Sequence, residues 1–186
     1  MQRVEVESSL PPVAIPARIV LELLGHARET LGHPGETPSE ECCGLIVGSA
    51  EKRFRRLVRC RNEMTQRHRA DPVAFPLDGQ TAFWMNEADY MHTREEAEAA
   101  GERVTAIYHS HVGSGAYLSE LDLEYAQHAL FPFPDADQIV VAVASPDAGH
   151  LGVRLDEDEC VHGIGIFQWD AAARVFRGHR VRPSAS

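Results

Sequence analysis

Two histidines separated by one residue, His109 and His111, are the residues of this sequence that best suit metal binding. They follow directly on an apolar run from Val104 that predicts a strand. Side chains alternate along a strand with a period of two, so both imidazoles are expected on the same face. Two convergent imidazole nitrogens suit a divalent transition metal such as zinc.

A second polar pair, Ser119 and Asp122, opens a predicted helix that ends near Leu130. The glycine-containing loop Val112–Leu118 connects this helix to His111. Residues three apart share a face of the first helical turn, where Asp122 offers an oxygen ligand. Two nitrogens and one carboxylate leave a fourth position for water, as in catalytic zinc sites. The same spacing also fits an ordinary helix capping box, and the residues alone leave both interpretations open.

The remaining pattern predicts a single α/β domain with a mixed sheet. Apolar residues at steps of three and four predict a helix that begins at Pro16 and ends before Gly32. The apolar segment Cys42–Gly48 predicts a buried central strand, and Asp78 is expected to cap a helix over residues 79–100. Further strands are expected at residues 53–60, 71–77, 139–144, 150–155, 162–169 and 174–181.

Composition and charge narrow the function classes. The chain has 186 residues, 44% of them hydrophobic, which excludes a disordered, fibrous or membrane-spanning protein. A net charge of −10 disfavours nucleic acid as a partner. The N-terminus lacks the pattern of a signal peptide. None of the 4 cysteines forms a Cys-x-x-Cys motif, so we expect reduced, buried thiols and a cytoplasmic protein.

The metal pattern resembles that of a known family. His-x-His, seven residues, Ser, two residues and Asp is similar to the motif of the JAMM (MPN-plus) zinc metalloproteases, in particular the stand-alone bacterial type. That family also has a glutamate just before a buried strand with Cys-Gly, and here Glu41 precedes Cys42-Cys43-Gly44. Alignment of the family's Cys-Gly with Cys43-Gly44 favours Glu41 as the catalytic glutamate, with Glu40 as the competing position. One departure is Val112, where the family often has proline; it alters the loop and removes no ligand.

The resemblance implies a fold and a domain organisation. It implies one MPN-type, cytidine-deaminase-like domain over residues 16–181, with a mixed curved β-sheet flanked by helices. Residues 1–15 are then an N-terminal arm or first strand, and residues 182–186 a frayed tail.

The resemblance also implies a chemistry. One Zn²⁺ is expected on His109, His111 and Asp122, with Glu41 as the general base for water and Ser119 helping to stabilise the oxyanion. The expected substrate is the C-terminal Gly-Gly tail of a ubiquitin-like or sulfur-carrier protein, with no nucleic acid or membrane partner and an oligomeric state that the sequence does not give. Two alternatives stay open: a metal-dependent hydrolase of an unrelated small peptide or amide, and a non-catalytic MPN scaffold. A cysteine nucleophile at Cys43 is conceivable, although a packed thiol is favoured.

Overall fold

The computed structural model describes residues 3–32, 38–143 and 154–185. Seven strands and four helices are assigned within these ranges. The strands are β1 (Val13–Pro16), β2 (Cys43–Gly48), β3 (Arg56–Cys60), β4 (Arg103–Val112), β5 (Asp137–Val143), β6 (Ile164–Asp170) and β7 (Val175–Ser184). The helices are α1 (Ala17–Glu29), α2 (Met64–Ala70), α3 (Glu87–Ala99) and α4 (Glu120–Ala126).

The strands form one mixed sheet in the order β1-β7-β6-β5-β4-β2-β3. The pairs β1–β7 and β4–β5 are parallel, and the other neighbours are antiparallel. This arrangement confirms the predicted α/β domain with a mixed sheet. The strand that carries both histidines, β4, lies inside the sheet between β5 and β2.

Apolar layers cover both faces of the sheet, which explains why β2 is buried at every position. Ile46 and Tyr108 pack in the cluster that contains α1, whereas Leu45 and Ile107 pack in the cluster that contains Ala97 of α3. Alternate residues of one strand therefore enter two different cores. His109 follows Ile107 by two residues and so faces the same side of the sheet as α3.

A glycine in β2 lets the two central strands approach. A Cβ on Gly44 would lie 2.3 Å from the carbonyl oxygen of Val58 and 2.5 Å from the hydroxyl oxygen of Tyr108. Tyr108 precedes His109 in β4, and its hydroxyl is 2.8 Å from Nδ1 of His26 in α1. The Cys-Gly of the sequence motif thus has a packing reason, because a larger side chain would collide with the backbone of β3 and with the ring of Tyr108, which precedes His109.

The segment between β3 and α3 differs from the prediction. Residues 71–77 form turns instead of a strand, because Pro72 and Pro76 lack the N–H groups that a sheet ladder needs. Helix α3 begins at Glu87, not at 79, and its cap is Asn86, whose side chain accepts a hydrogen bond from the Asp89 amide at 2.9 Å. Asp78 caps only a short turn through the Gln80 amide.

Other boundaries shift by a few residues. Helix α4 ends at Ala126 instead of Leu130, and the short helix α2 was not predicted. The tail expected to fray from residue 182 continues β7 to Ser184, paired with β1. Of the strand expected at 150–155, residues 150–153 lie outside the described residues, and Leu155 forms an isolated bridge with Val161. Within the described ranges, no helix has both the length and the apolar character that a bilayer crossing requires.

Candidate metal centre

Strand β4 orients both histidines towards one point. Their Nε2 atoms are 3.1 Å apart, as the alternation of side chains along a strand predicts. The exposed fractions of His109 and His111 are only 1% and 7%. Two imidazoles are thus held together at the C-terminal end of a central strand, almost free of water.

Helix α4 brings a carboxylate to the same point. Oδ1 of Asp122 lies 3.3 Å from Nε2 of His109, and its Oδ2 lies 3.4 Å from Nε2 of His111. Ser119 caps the helix: its backbone N–H and its hydroxyl donate to Oδ2 of Asp122 at 2.8 and 2.6 Å, and its Oγ accepts from the Asp122 amide at 3.2 Å. The capping-box interpretation of the Ser-x-x-Asp pattern is therefore confirmed, and the same box aims the Asp122 carboxylate at the histidines.

The separations between the two imidazole nitrogens and the carboxylate oxygens are close to those around a tetrahedral metal. A tetrahedral ion with bonds of about 2.0–2.1 Å separates its ligand atoms by roughly 3.3–3.4 Å. The two Nε2 atoms are 3.1 Å apart, that of His109 lies 3.3 Å from Oδ1 of Asp122, and that of His111 lies 3.4 Å from Oδ2. Two imidazole nitrogens and one carboxylate are also a donor set that zinc accepts. His109, His111 and Asp122 are therefore positioned to bind a metal ion, with a fourth position left for another ligand.

The electrostatics of the centre favour an ionised carboxylate. Burial alone would raise the pKa of Asp122, but the neighbouring His109 and hydrogen bonds from His109, His111 and Ser119 outweigh burial and hold that pKa well below its usual range. A negative ligand thus stays available to a cation over the whole physiological pH range.

Neighbouring groups fix the orientation of His111. Its Nδ1 lies 3.0 Å from the carbonyl oxygen of Gly115, which can only accept, so Nδ1 donates a proton and Nε2 is the nitrogen that faces the candidate metal position. The ring of Tyr117 packs against the imidazole, with centroids 5.0 Å apart. Gly113 in the same loop has φ of +69°, a left-handed conformation that glycine adopts readily. The glycine-containing loop therefore supplies the hydrogen-bond acceptor that orients this ligand.

His109 is held by stacking instead. The ring of Phe83 lies nearly parallel to its imidazole, at a centroid distance of 4.6 Å. Nδ1 of His109 is buried and has no hydrogen-bond partner among the described residues. The two ligand histidines thus differ in what supports them.

The register of β2 and β4 brings Glu41 to the centre. Cys43 is paired with His109, and the Ser110 amide donates to the Cys42 carbonyl at 3.0 Å, so Glu41 comes opposite His111. Glu41 is 5% exposed and lines the same cavity as His111, Ser119 and Asp122. The competing residue, Glu40, is bound elsewhere: its carboxylate accepts a hydrogen bond from the Thr65 hydroxyl at 2.6 Å.

Burial perturbs the carboxyl group of Glu41 strongly. Loss of hydration raises its pKa to about 9, and the negative charge of Asp122 acts in the same direction. A cation bound to Asp122 would oppose that second effect. At neutral pH the metal-free protein therefore keeps Glu41 protonated, and a cation bound beside it would favour the ionised form that a general base requires.

An apolar cavity of about 260 Å³ opens beside the metal centre. Its walls come from the turns before α3, from α4 and from the start of α2; the apolar lining residues are Met64, Phe75, Leu77, Phe83, Trp84, Leu121 and Tyr125. Leu77, Trp84 and Leu121 are 40–45% exposed, so the rim presents apolar surface to solvent. This volume suits one large side chain better than a drug-sized ligand.

The cysteines do not contribute a nucleophile. All four are free and buried. Burial raises the pKa of the Cys43 thiol well above its usual value, so the reactive thiolate is disfavoured. The packed thiol expected from the sequence is the interpretation that the structure supports.

Sequence reasoning missed the groups that support the centre. The two histidines are oriented by Phe83, Tyr117 and the Gly115 carbonyl. Asn62 donates a hydrogen bond to the backbone carbonyl of Glu41. Three of these contacts join residues distant in sequence or use backbone atoms, which leave no residue pattern. Only the glycine-rich loop gave a signal, and it predicted a tight bend, not a hydrogen bond.

Comparisons with known proteins agree with this geometry. A sequence model for prokaryotic homologs of the JAB domain matches residues 16–155. The solution structure of protein DSY2949 from Desulfitobacterium hafniense is similar to this chain, with a TM-score of 0.57 and 16% sequence identity over 93% of each chain. At that identity the similarity concerns the fold alone. No curated protein sequence matches.

Proposed function

From the premise that this chain belongs to the family of prokaryotic homologs of the JAB domain, we propose that it is a zinc-dependent hydrolase of peptide or isopeptide bonds. Family membership also confirms the resemblance that the histidine and aspartate spacing predicts. One observation carries the proposal: the two imidazole nitrogens and the Asp122 carboxylate converge, with N–N and N–O separations of 3.1, 3.3 and 3.4 Å that are close to those around a tetrahedral metal.

The residues around the centre divide the chemistry between them. His109, His111 and Asp122 would hold a zinc ion, which would supply a Lewis acid and lower the pKa of water at the open position to about 7. Glu41, on the same cavity, accepts the proton of the attacking water and then returns it to the leaving amine. Ser119 keeps Asp122 in place through its amide, and its hydroxyl becomes a donor to the oxyanion once it turns away from Oδ2.

We assign the substrate as the C-terminal tail of a ubiquitin-like or sulfur-carrier protein, cleaved after Gly-Gly. The family resemblance supports this assignment, because its members act on such tails. A Gly-Gly segment has no side chains beyond hydrogen, so its backbone can approach the buried groups of Glu41 and His111 that line the cavity. The apolar cavity next to it then receives a different residue of the substrate.

The test is cleavage followed by intact mass. Zinc-loaded protein is incubated with several small carriers that end in Gly-Gly plus a short extension, and the products are weighed. We expect loss of the extension at the Gly-Gly bond, no cleavage by Glu41→Gln, and no cleavage after chelation. Glu41→Gln should retain zinc, which separates loss of the base from loss of the metal.

The two alternatives give different results in that experiment. Hydrolysis of short apolar peptides without cleavage of any carrier would favour the small-peptide hydrolase. The cavity of about 260 Å³ beside the centre supports this alternative. A protein that binds zinc and cleaves nothing would be a scaffold.

A further inference from the structure

Asn62, in the segment between β3 and α2, is bound by four backbone groups from three parts of the chain. Its Nδ2 donates to the carbonyl oxygens of Glu41 at 3.0 Å and Ala82 at 3.2 Å. Its Oδ1 accepts from the amides of Met64 and Trp84, both at 2.9 Å. All the hydrogen-bonding capacity of one side-chain amide is thus used.

These partners fix the orientation of the amide group. Rotating it by half a turn would set Nδ2 against two N–H groups and Oδ1 against two carbonyls. One orientation therefore satisfies all four partners, and the reverse satisfies none. The side chain is held in a single state and acts as a rigid link between the segments that it joins.

The joined segments are those that build the site. Glu41 carries the proposed base. Ala82 and Trp84 flank Phe83, whose ring stacks on His109 at 4.6 Å. Two backbone interactions add rigidity to the same junction. Asn62 and Met85 form an isolated β-bridge, and the Glu63 amide donates to the Trp84 carbonyl at 2.8 Å. Asn62 therefore connects the base, the ring that supports a metal ligand and the wall of the cavity.

We propose that Asn62 is a positioning residue, which holds the Glu41 backbone at a fixed place relative to the metal centre. The inference rests on the proposed function, because it assumes that Glu41 transfers the proton. Asn62 touches no reacting atom and acts only through Glu41. A displacement of about 1 Å in a catalytic group can cost roughly 100-fold in rate, so the loss of this link should lower kcat.

Two substitutions separate the two sides of the amide. Asn62→Ala removes all four hydrogen bonds. Asn62→Asp keeps the acceptor for the amides of Met64 and Trp84 and loses the donor to the carbonyls of Glu41 and Ala82. The matched control is Asn86→Ala: the Asn86 side chain is also hydrogen-bonded, to Asp89, Arg61 and Glu63, and no hydrogen bond among the described residues joins it to Glu41.

Kinetics on a Gly-Gly-extended carrier provide the first measurement. Both Asn62 variants are expected to lower kcat by about 10- to 100-fold with KM changed far less and with one zinc retained. Asn86→Ala is expected to lower the melting temperature and leave kcat unchanged. If Asn62→Asp keeps full kcat, or if Asn86→Ala loses as much kcat as the Asn62 variants, the positioning role is wrong.

Hydrogen exchange provides a measurement that does not need activity. The Glu41 amide donates to the Gly79 carbonyl at 2.6 Å and reports on the order of this segment. It should exchange faster in both Asn62 variants and at the wild-type rate in Asn86→Ala. Unchanged exchange of this amide in the Asn62 variants overturns the inference even if the wild type cleaves no carrier, whereas an inactive wild type with faster exchange in the variants refutes only the proposed function.

Discussion

Replacing Glu41 by glutamine is expected to stabilise the metal-free protein while it abolishes activity. The Glu41 carboxyl has a pKa of about 9 in the folded protein, whereas its pKa in the unfolded chain is about 4.5. Between these two values the unfolded state binds fewer protons, so stability falls as the pH rises. The contribution of the protonated Glu41 carboxyl to stability is complete below about pH 4.5 and is lost progressively towards pH 9.

The size of this effect follows from the pKa difference. Each pH unit within the window costs about 1.4 kcal/mol of stability, so at pH 7 the buried glutamate costs the metal-free protein up to about 3 kcal/mol. Glutamine has nearly the same shape and no proton to lose. The stability of Glu41→Gln relative to wild type should therefore increase by up to about 4 kcal/mol between pH 5 and pH 8.

Urea unfolding in the presence of a chelator measures this difference at pH 5, 6, 7 and 8. Glu40→Gln is the control for the same chemical change one residue away, at a carboxylate that binds Thr65 outside the cavity beside the metal centre. A stability gap between Glu41→Gln and wild type that stays constant or narrows as the pH rises would refute the argument from burial.

Further predictions concern the metal and the cavity. His109→Ala and Asp122→Ala should each lose zinc and turnover together, as measured by elemental analysis and intact mass, since each removes one of three ligands. Zinc at 100 times its dissociation constant should stabilise the wild type by about 2.7 kcal/mol in thermal or urea unfolding, and these ligand variants by much less. Trp84→Ala should raise KM for the carrier about tenfold because it removes apolar surface from the cavity rim. The control is Trp169→Ala, which should leave KM unchanged. Trp169 is 43% exposed against 40% for Trp84, but it does not line the cavity.

The convergence of His109, His111 and Asp122 could be predicted from the sequence because local rules place these residues. A period of two sets His109 and His111 on one face, and the first turn of a helix sets Ser119 beside Asp122. Both relations survive in the structure with little change. The glutamate needed a longer argument, since only the pairing of β2 with β4 brings Glu41 opposite His111.

The segment before α3 could not be predicted in the same way. Its helical pattern from residue 79 is overridden by contacts with distant residues: Phe83 stacks on His109, and the Trp84 amide binds Asn62. These interactions remove residues 79–86 from the helix and turn them into a wall of the cavity. Intrinsic propensity has a small energy per residue, so tertiary packing decides such a segment.

The capping box at Ser119 and Asp122 has a consequence for maturation of the protein. Its hydrogen bonds use Oδ2 and two amides, and none of them requires an ion. A newly synthesised chain can therefore finish the helix and aim the carboxylate before it meets any metal. Binding and release of a metal ion would then proceed on a folded framework, without refolding of helix α4.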